Sequence, residues 1–123
     1  MSKGIYNETY FRNHPEECGL EAVLYCVVLV NKSTMKRECI KIGIAKGRNW
    51  KDVIRRSSGF KGYDIRIQKV VYGRLEDIFY LEQYLHELWS HEKFKSAWAF
   101  GGHTELFNLN DAIIKSVPST TML

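Results

Sequence analysis

The apolar positions of this chain fall into runs of two periods. Ala22 to Val30 is an unbroken apolar stretch, A-V-L-Y-C-V-V-L-V, rich in β-branched residues and bounded by polar ones, which predicts a buried strand. Glu38 to Ala45 alternates instead. Cys39, Lys41, Gly43 and Ala45 share one face, and Ile40, Ile42 and Ile44 share the other. Lys41 therefore projects from mid-strand on the side opposite three isoleucines. Gly43, on the same side, leaves room for a ligand or a backbone to come close. The polar stretch Asn31 to Arg37 reads as a hairpin loop joining the two strands. A short basic helix over Trp50 to Ser57 follows, with Trp50, Val53 and Ile54 inward, and Ser58-Gly59 and Lys61-Gly62 close it. Tyr63 to Tyr72 sets Ile65 and Ile67 against Arg66 and Gln68 and then runs into Val70-Val71, a third strand.

Period 3.6 takes over at Leu75 and continues to about Ser90. Leu75, Ile78, Phe79, Leu85 and Trp89 form one stripe, and Glu82 lies inside it, with His86 one turn further along. A carboxylate facing a core is costly unless it is paired, bound to a metal or set in a polar cleft. An ordinary ion pair with His86 or a strand cation meets that requirement as well as a metal does. Gly101-Gly102 opens a loop leading into Thr104 to Leu109, and a last helix over Asp111 to Val117 has Asn110 as its cap. Residues 1–20 show little periodicity, and His14-Pro15 interrupts any helix there. Gly4-Ile5-Tyr6 has no apolar strand around it. The expectation is an α+β domain over residues 21–117, a small three-stranded antiparallel sheet flanked by helices. An N-terminal arm, extended or a short packed helix, spans residues 1–20, and a flexible tail spans 118–123.

Composition changes this picture in two places. The three cysteines, Cys18, Cys26 and Cys39, make an odd count without a C-x-x-C pair, which argues against a disulfide framework or a cysteine zinc site. With no apolar leader and no run of the ~20 residues a membrane helix needs, a cytoplasmic protein is expected, in the host cytoplasm if phage-encoded, with no membrane partner. The net charge of +4 is unevenly spread: residues 32–74 hold thirteen Lys or Arg against three Asp or Glu, a net +10. That predicts one basic face suited to a polyanion such as DNA or RNA, with Lys46, Arg48, Lys51 and Arg56 as candidate contacts.

Read together, Val23-Leu24-Tyr25 on the first strand, Lys41-Ile42-Gly43 on the second, an arginine on the following helix and Glu82 on a later one resemble the GIY-YIG nuclease domain. The set K-I-G, L-E-x-x-L-H (Leu81 to His86) and G-x-T-E-x-F (Gly102 to Phe107) is similar to a phage and bacterial branch in which lysine replaces the second tyrosine. The resemblance spans roughly Leu20 to Leu109. It departs from the family in a longer hairpin loop and a longer gap after Gly43, so Arg48, Arg55 and Arg56 compete for the arginine role, with Arg55 favoured because it follows Val53-Ile54 on the helix.

The resemblance implies a metal-dependent endonuclease acting on DNA, with RNA left open. Glu82 would hold Mg²⁺ or Mn²⁺, and Arg55 would clamp the phosphate. Tyr25 would act as general base with help from Lys41, and His86 would orient Glu82 or a bound water. A homodimer is then the species expected to cut both strands. Two other classes stay open: a catalytically degenerate nucleic-acid-binding module, and a phage-type protein that binds a host factor. Grouping His86 with His91 and His103 as zinc ligands is disfavoured by irregular spacing and the lack of a cysteine.

Overall fold

A computed structural model of the protein describes residues 7–47, 62–94 and 106–118. The first helix, α1, is Glu8–Asn13, and a 3-10 turn follows at Pro15–Glu17. Three long strands come next: β1 (Glu21–Asn31), β2 (Lys36–Lys46) and β3 (Tyr63–Arg74). The long helix α2 (Leu75–Leu88), the short strand β4 (Leu106–Phe107) and the helix α3 (Asp111–Ser116) complete the described elements. The strands form one sheet in the order β3-β1-β2-β4, and every pairing is antiparallel. The α+β class is as expected, but the sheet has four strands rather than three. The fourth was hidden because two residues, Leu106 and Phe107, carry no periodicity. They pair with Ile40 and Lys41 and are recognisable only from the edge they cover.

β1 is the centre of the molecule. Every residue from Ala22 to Val30 is buried. Its even-numbered side chains, Leu24, Cys26 and Val28, join Ile40, Ile42 and Val71 beneath Leu75, Ile78, Phe79 and Leu85 of α2. Its odd-numbered ones, Val23, Tyr25, Val27 and Leu29, join Cys39, Tyr63, Val70 and Leu106 on the other face. A strand covered on both faces has no polar side to show, which is why its sequence is a run and not an alternation. Bulges after Leu29 against β2 and after Cys26 against β3 let Glu38 and Gln68 slip out of register without breaking the ladders.

Residues 8–20 form a packed helix and turn, the second of the two expectations for that segment. Asn7 caps α1 by accepting from Tyr10 N at 2.7 Å, and the helix stops at Asn13, just before His14-Pro15. Phe11 enters the core and meets Phe79 edge-on with 5.3 Å between ring centres. The segment also completes α2. Arg74, at the N-cap of α2, provides no side-chain cap, and the first helical amides bond instead to Leu20 O (2.7 Å, from Leu75 N) and Cys18 O (3.2 Å, from Glu76 N). Carbonyls of a distant segment thus satisfy amides that every helix leaves orphaned.

At the far end, Asn110 Oδ1 caps α3 by accepting from Ala112 N, and Lys69 Nζ donates to Val117 O at 2.8 Å. Trp89 Nε1 donates to Ser116 Oγ at 2.9 Å. Among the described residues no helix is long and apolar enough to cross a membrane. The Gly4-Ile5-Tyr6 tripeptide, the expected basic helix over 50–57, the Gly101-Gly102 loop and tail residues 119–123 lie outside the described residues.

Because Phe11 fixes the segment that caps α2, Phe11→Ala is expected to destabilise the fold by about 3–5 kcal/mol. Urea denaturation followed by circular dichroism measures this. A loss below about 1 kcal/mol would mean that the segment is only loosely attached.

Candidate active site

The alternation in β2 sets the site. Lys41 and Gly43 project to the face away from α2, and the register pairs Tyr25 with Gly43 and Val27 with Lys41. Tyr25 and Lys41 are therefore diagonal neighbours on one face. Lys41 Nζ lies 5.9 Å from the centre of the Tyr25 ring, near the outer limit of a cation–π contact. Both residues are buried, Lys41 at 2 % exposure and Tyr25 at 6 %. Lys41 is thus not a lysine stretched along the surface toward water. Burying an ammonium costs several kcal/mol unless partners and local polarity offset it, which makes this the least ordinary position on the face.

Gly43 explains how the phenol fits. A Cβ built at this position would sit 2.6 Å from Tyr25 Oη and 2.8 Å from its Cζ. The space was expected to admit a ligand or a backbone. Its occupant is Tyr25 itself, whose ring lies across the glycine. The K-I-G tripeptide therefore supplies a buried cation and, two residues on, the gap that seats the tyrosine of the neighbouring strand.

Glu82 is buried at 6 % exposure within the α2 stripe, as its helical position predicted. Its Oε1 accepts from Gln83 Nε2 at 3.2 Å. One turn on, His86 Nε2 lies 3.0 Å from Ile42 O, and Phe107 packs edge-on against its ring. A carbonyl only accepts, so Nε2 carries the proton of this bond. His86 thereby ties α2 to the backbone of β2, just beyond the two residues that β4 pairs. This anchoring stands beside its expected part in orienting Glu82, one turn earlier on the same helix.

These residues form two groups. Tyr25, Lys41 and Gly43 lie on one face of the sheet, while Glu82 and His86 belong to the helix packed on the other. The β2 strand that carries Lys41 and Gly43 is also the one His86 grips through Ile42. Arg48, Lys51, Arg55 and Arg56 lie outside the described residues, as does His103.

The described cations do not make one basic face. Cross-strand register puts Arg37, Lys46, Arg66 and Lys69 on the helix side, opposite Lys41. Two of them have structural partners. Lys69 binds the end of α3, and Lys46 Nζ lies 3.4 Å from Glu17 Oε1, on a carboxylate that also accepts from the Tyr10 hydroxyl. That hydroxyl first, and then Lys46, hold the Glu17 carboxyl below its ordinary range.

Sequence reasoning missed the role of Glu38. Its two oxygens accept from Tyr63 Oη (2.7 Å) and Asn31 Nδ2 (2.9 Å), which ties the three long strands together at the hairpin end. Glu38 is the residue displaced by the β1–β2 bulge, and no periodicity reveals a bulge. The cysteines are free, as expected, and burial pushes the thiols of Cys26 and Cys39 up to about 12, which keeps them protonated and inert at neutral pH.

A single buried carboxylate with a histidine one turn away fits a hard ion that keeps most of its own water and takes other oxygens from a phosphate. It does not fit an all-protein cage, and no group of three or more His, Cys, Asp or Glu is placed to hold a metal among the described residues. Compared with protein-family models, curated proteins and solved structures, the chain matches none.

Gly43→Ala is expected to cost about 1–3 kcal/mol, because the added methyl meets a ring that cannot retreat through a packed sheet. Tyr25→Phe in the same chain should recover part of that loss, since it removes the atom in closest conflict. Additive single and double variants in a urea double-mutant cycle would show that the two positions do not touch.

Proposed function

We propose that the protein is a metal-dependent endonuclease of the GIY-YIG type that hydrolyses phosphodiester bonds in DNA. The observation that carries this reading is the buried Lys41 beside the buried Tyr25, seated over Gly43. A phenol titrates near ~10 in isolation, so a tyrosine base needs help at neutral pH. A neighbouring ammonium favours the phenolate, and a desolvated lysine is itself able to take a proton. In this reading Tyr25 takes the proton of the attacking water, directly or through a second water, while Lys41 keeps the phenol competent. Arg55 clamps the phosphate with two parallel donations. Glu82 would hold Mg²⁺ or Mn²⁺, which when bound neutralises the leaving 3′ oxygen, and this requires Glu82 and Tyr25 to reach one phosphate from opposite faces of the sheet. His86, fixed on Ile42 O, holds that turn of α2 against β2 and so sets where the carboxylate lies along the strand.

A second reading has an observation of its own. Tyr25 and Lys41 face away from the helix that bears Glu82, an arrangement also suited to a nucleic-acid-binding module with a degenerate site. Incubating the purified protein with supercoiled plasmid and with RNA, each with Mg²⁺ and with EDTA, separates the two. Metal-dependent nicking supports the endonuclease, and binding without cleavage supports the module.

Glu82→Gln keeps the shape of the side chain and removes its charge. Cleavage is expected to fall by at least ~10²-fold with the thermal midpoint and circular dichroism preserved. Metal-dependent cleavage near the wild-type rate would falsify the metal-ligand role. Tyr25→Phe, and Lys41→Met chosen to keep buried volume, should each slow cleavage by ~10²–10⁴-fold. Unchanged rates in both would make the pair structural.

A further inference from the structure

The β1–β2 hairpin ends in a turn, Lys32 to Met35, that is more firmly built than its polar sequence suggests. Asn31 Oδ1 accepts from Ser33 N (2.8 Å) and Thr34 N (3.3 Å), and Met35 N donates to Asn31 O at 2.7 Å. Thr34 Oγ1 accepts from Lys36 N, and Lys32 N reaches Gly62 O, just before β3, at 3.0 Å. Within this brace, Met35 has φ 60°, the one non-glycine residue with positive φ among those described. Methionine is not a residue that favours the left-handed region, and glycine or asparagine would occupy it at less cost. The strain gives no packing return, because Met35 is 69 % exposed, the most open large hydrophobic side chain of the described residues. An apolar side chain held outward at a strained position on a rigid tip has the form of a contact element.

Charge indicates what it contacts. Lys32, Lys36 and Arg37 surround Met35, all are exposed, and none makes an ion pair among the described residues. The nearby acid Glu38 has both oxygens turned inward to Tyr63 and Asn31. The other acid at this end, Asp64, pairs with Val30 on the far edge of β1. A narrow two-stranded tip with an apolar point and flanking cations matches the minor groove of a nucleic-acid duplex. There apolar side chains wedge at base steps while Lys and Arg meet the phosphates on either side. An anionic membrane would also take a tip of this chemistry, and the vesicle arm of the test below separates the two.

We infer that the β1–β2 hairpin tip is a duplex-binding element, with Met35 as a groove wedge and Lys32, Lys36 and Arg37 as phosphate contacts. This rests on the nucleic-acid part of the proposed function and not on catalysis, so its test is run in EDTA, where no metal-dependent cutting occurs. Fluorescence anisotropy with a labelled duplex compares the wild type with Met35→Gly and with the triple variant Lys32→Ala, Lys36→Ala, Arg37→Ala. The triple variant should bind at least ~10-fold more weakly, with the slope of log K against log salt flatter by about 2–3, since each phosphate contact contributes roughly 0.9. Met35→Gly should bind roughly 3- to 10-fold more weakly at an unchanged salt slope, with a thermal midpoint equal to or above the wild type. Wild-type affinity in either variant overturns the assignment, and if the wild type still nicks plasmid the nuclease reading survives that result. Hairpin-dependent binding with no cutting in Mg²⁺ leaves this inference standing and removes the nuclease. Absence of duplex binding by the wild type, or equal hairpin-dependent binding to phosphatidylserine vesicles, overturns it.

Discussion

The rest of the structure depends on β1 being buried on both faces. A strand in that position needs hydrogen-bonded neighbours on both edges and apolar cover above and below. β2 and β3 provide the edges, and α2 covers one face. A strand with no exposed side chain between Ala22 and Val30 also has no freedom to shift register. A slip of one residue would carry Tyr25 to the helix side and Leu24 or Cys26 to the side of Lys41. The positions of Tyr25 and Lys41 relative to one another are therefore consequences of core packing.

That rigidity bears on chemistry through Gly43. A buried tyrosine ring must lie over something, and on an antiparallel pair the residue directly opposite is the first in its way. With glycine there the phenol comes down over β2, and Lys41 Nζ lies 5.9 Å from its ring centre. With any other residue the ring would be forced away from the sheet and the lysine. The same two strands continue to the hairpin tip, where Glu38 binds Tyr63 and Asn31 and locks the end that carries Met35. One ribbon thus holds the candidate chemical pair at its middle and the candidate duplex contact at its tip.

α2 depends on its surroundings more than its periodicity implies. It has no side-chain cap, and its first amides bond to carbonyls of the segment that Phe11 pins to the core. Near its C-terminal end it is tied by His86 to β2 and, through Trp89, to α3. The buried Glu82 sits between these anchor points, so its placement depends on residues far away in sequence.

The amino-acid sequence by itself determined the elements whose periodicity is long enough to average over. These are the buried run of β1, the two-faced β2, β3, the α2 stripe with Glu82 inside it, the break at His14-Pro15 and the Asn110 cap. Each rests on local backbone preference or on the spacing of apolar side chains, and both are properties of a contiguous segment. The tertiary structure alone decided what depends on partners. The two-residue β4 exists because β2 offers an edge at Ile40 and Lys41. Residues 8–20 pack against α2 because Phe11 enters the core and the carbonyls of Cys18 and Leu20 accept from the first amides of that helix. Gly43 proved to be a seat for Tyr25, and the described strand cations separated onto two faces because register, set by pairing across strands, determines where each side chain points.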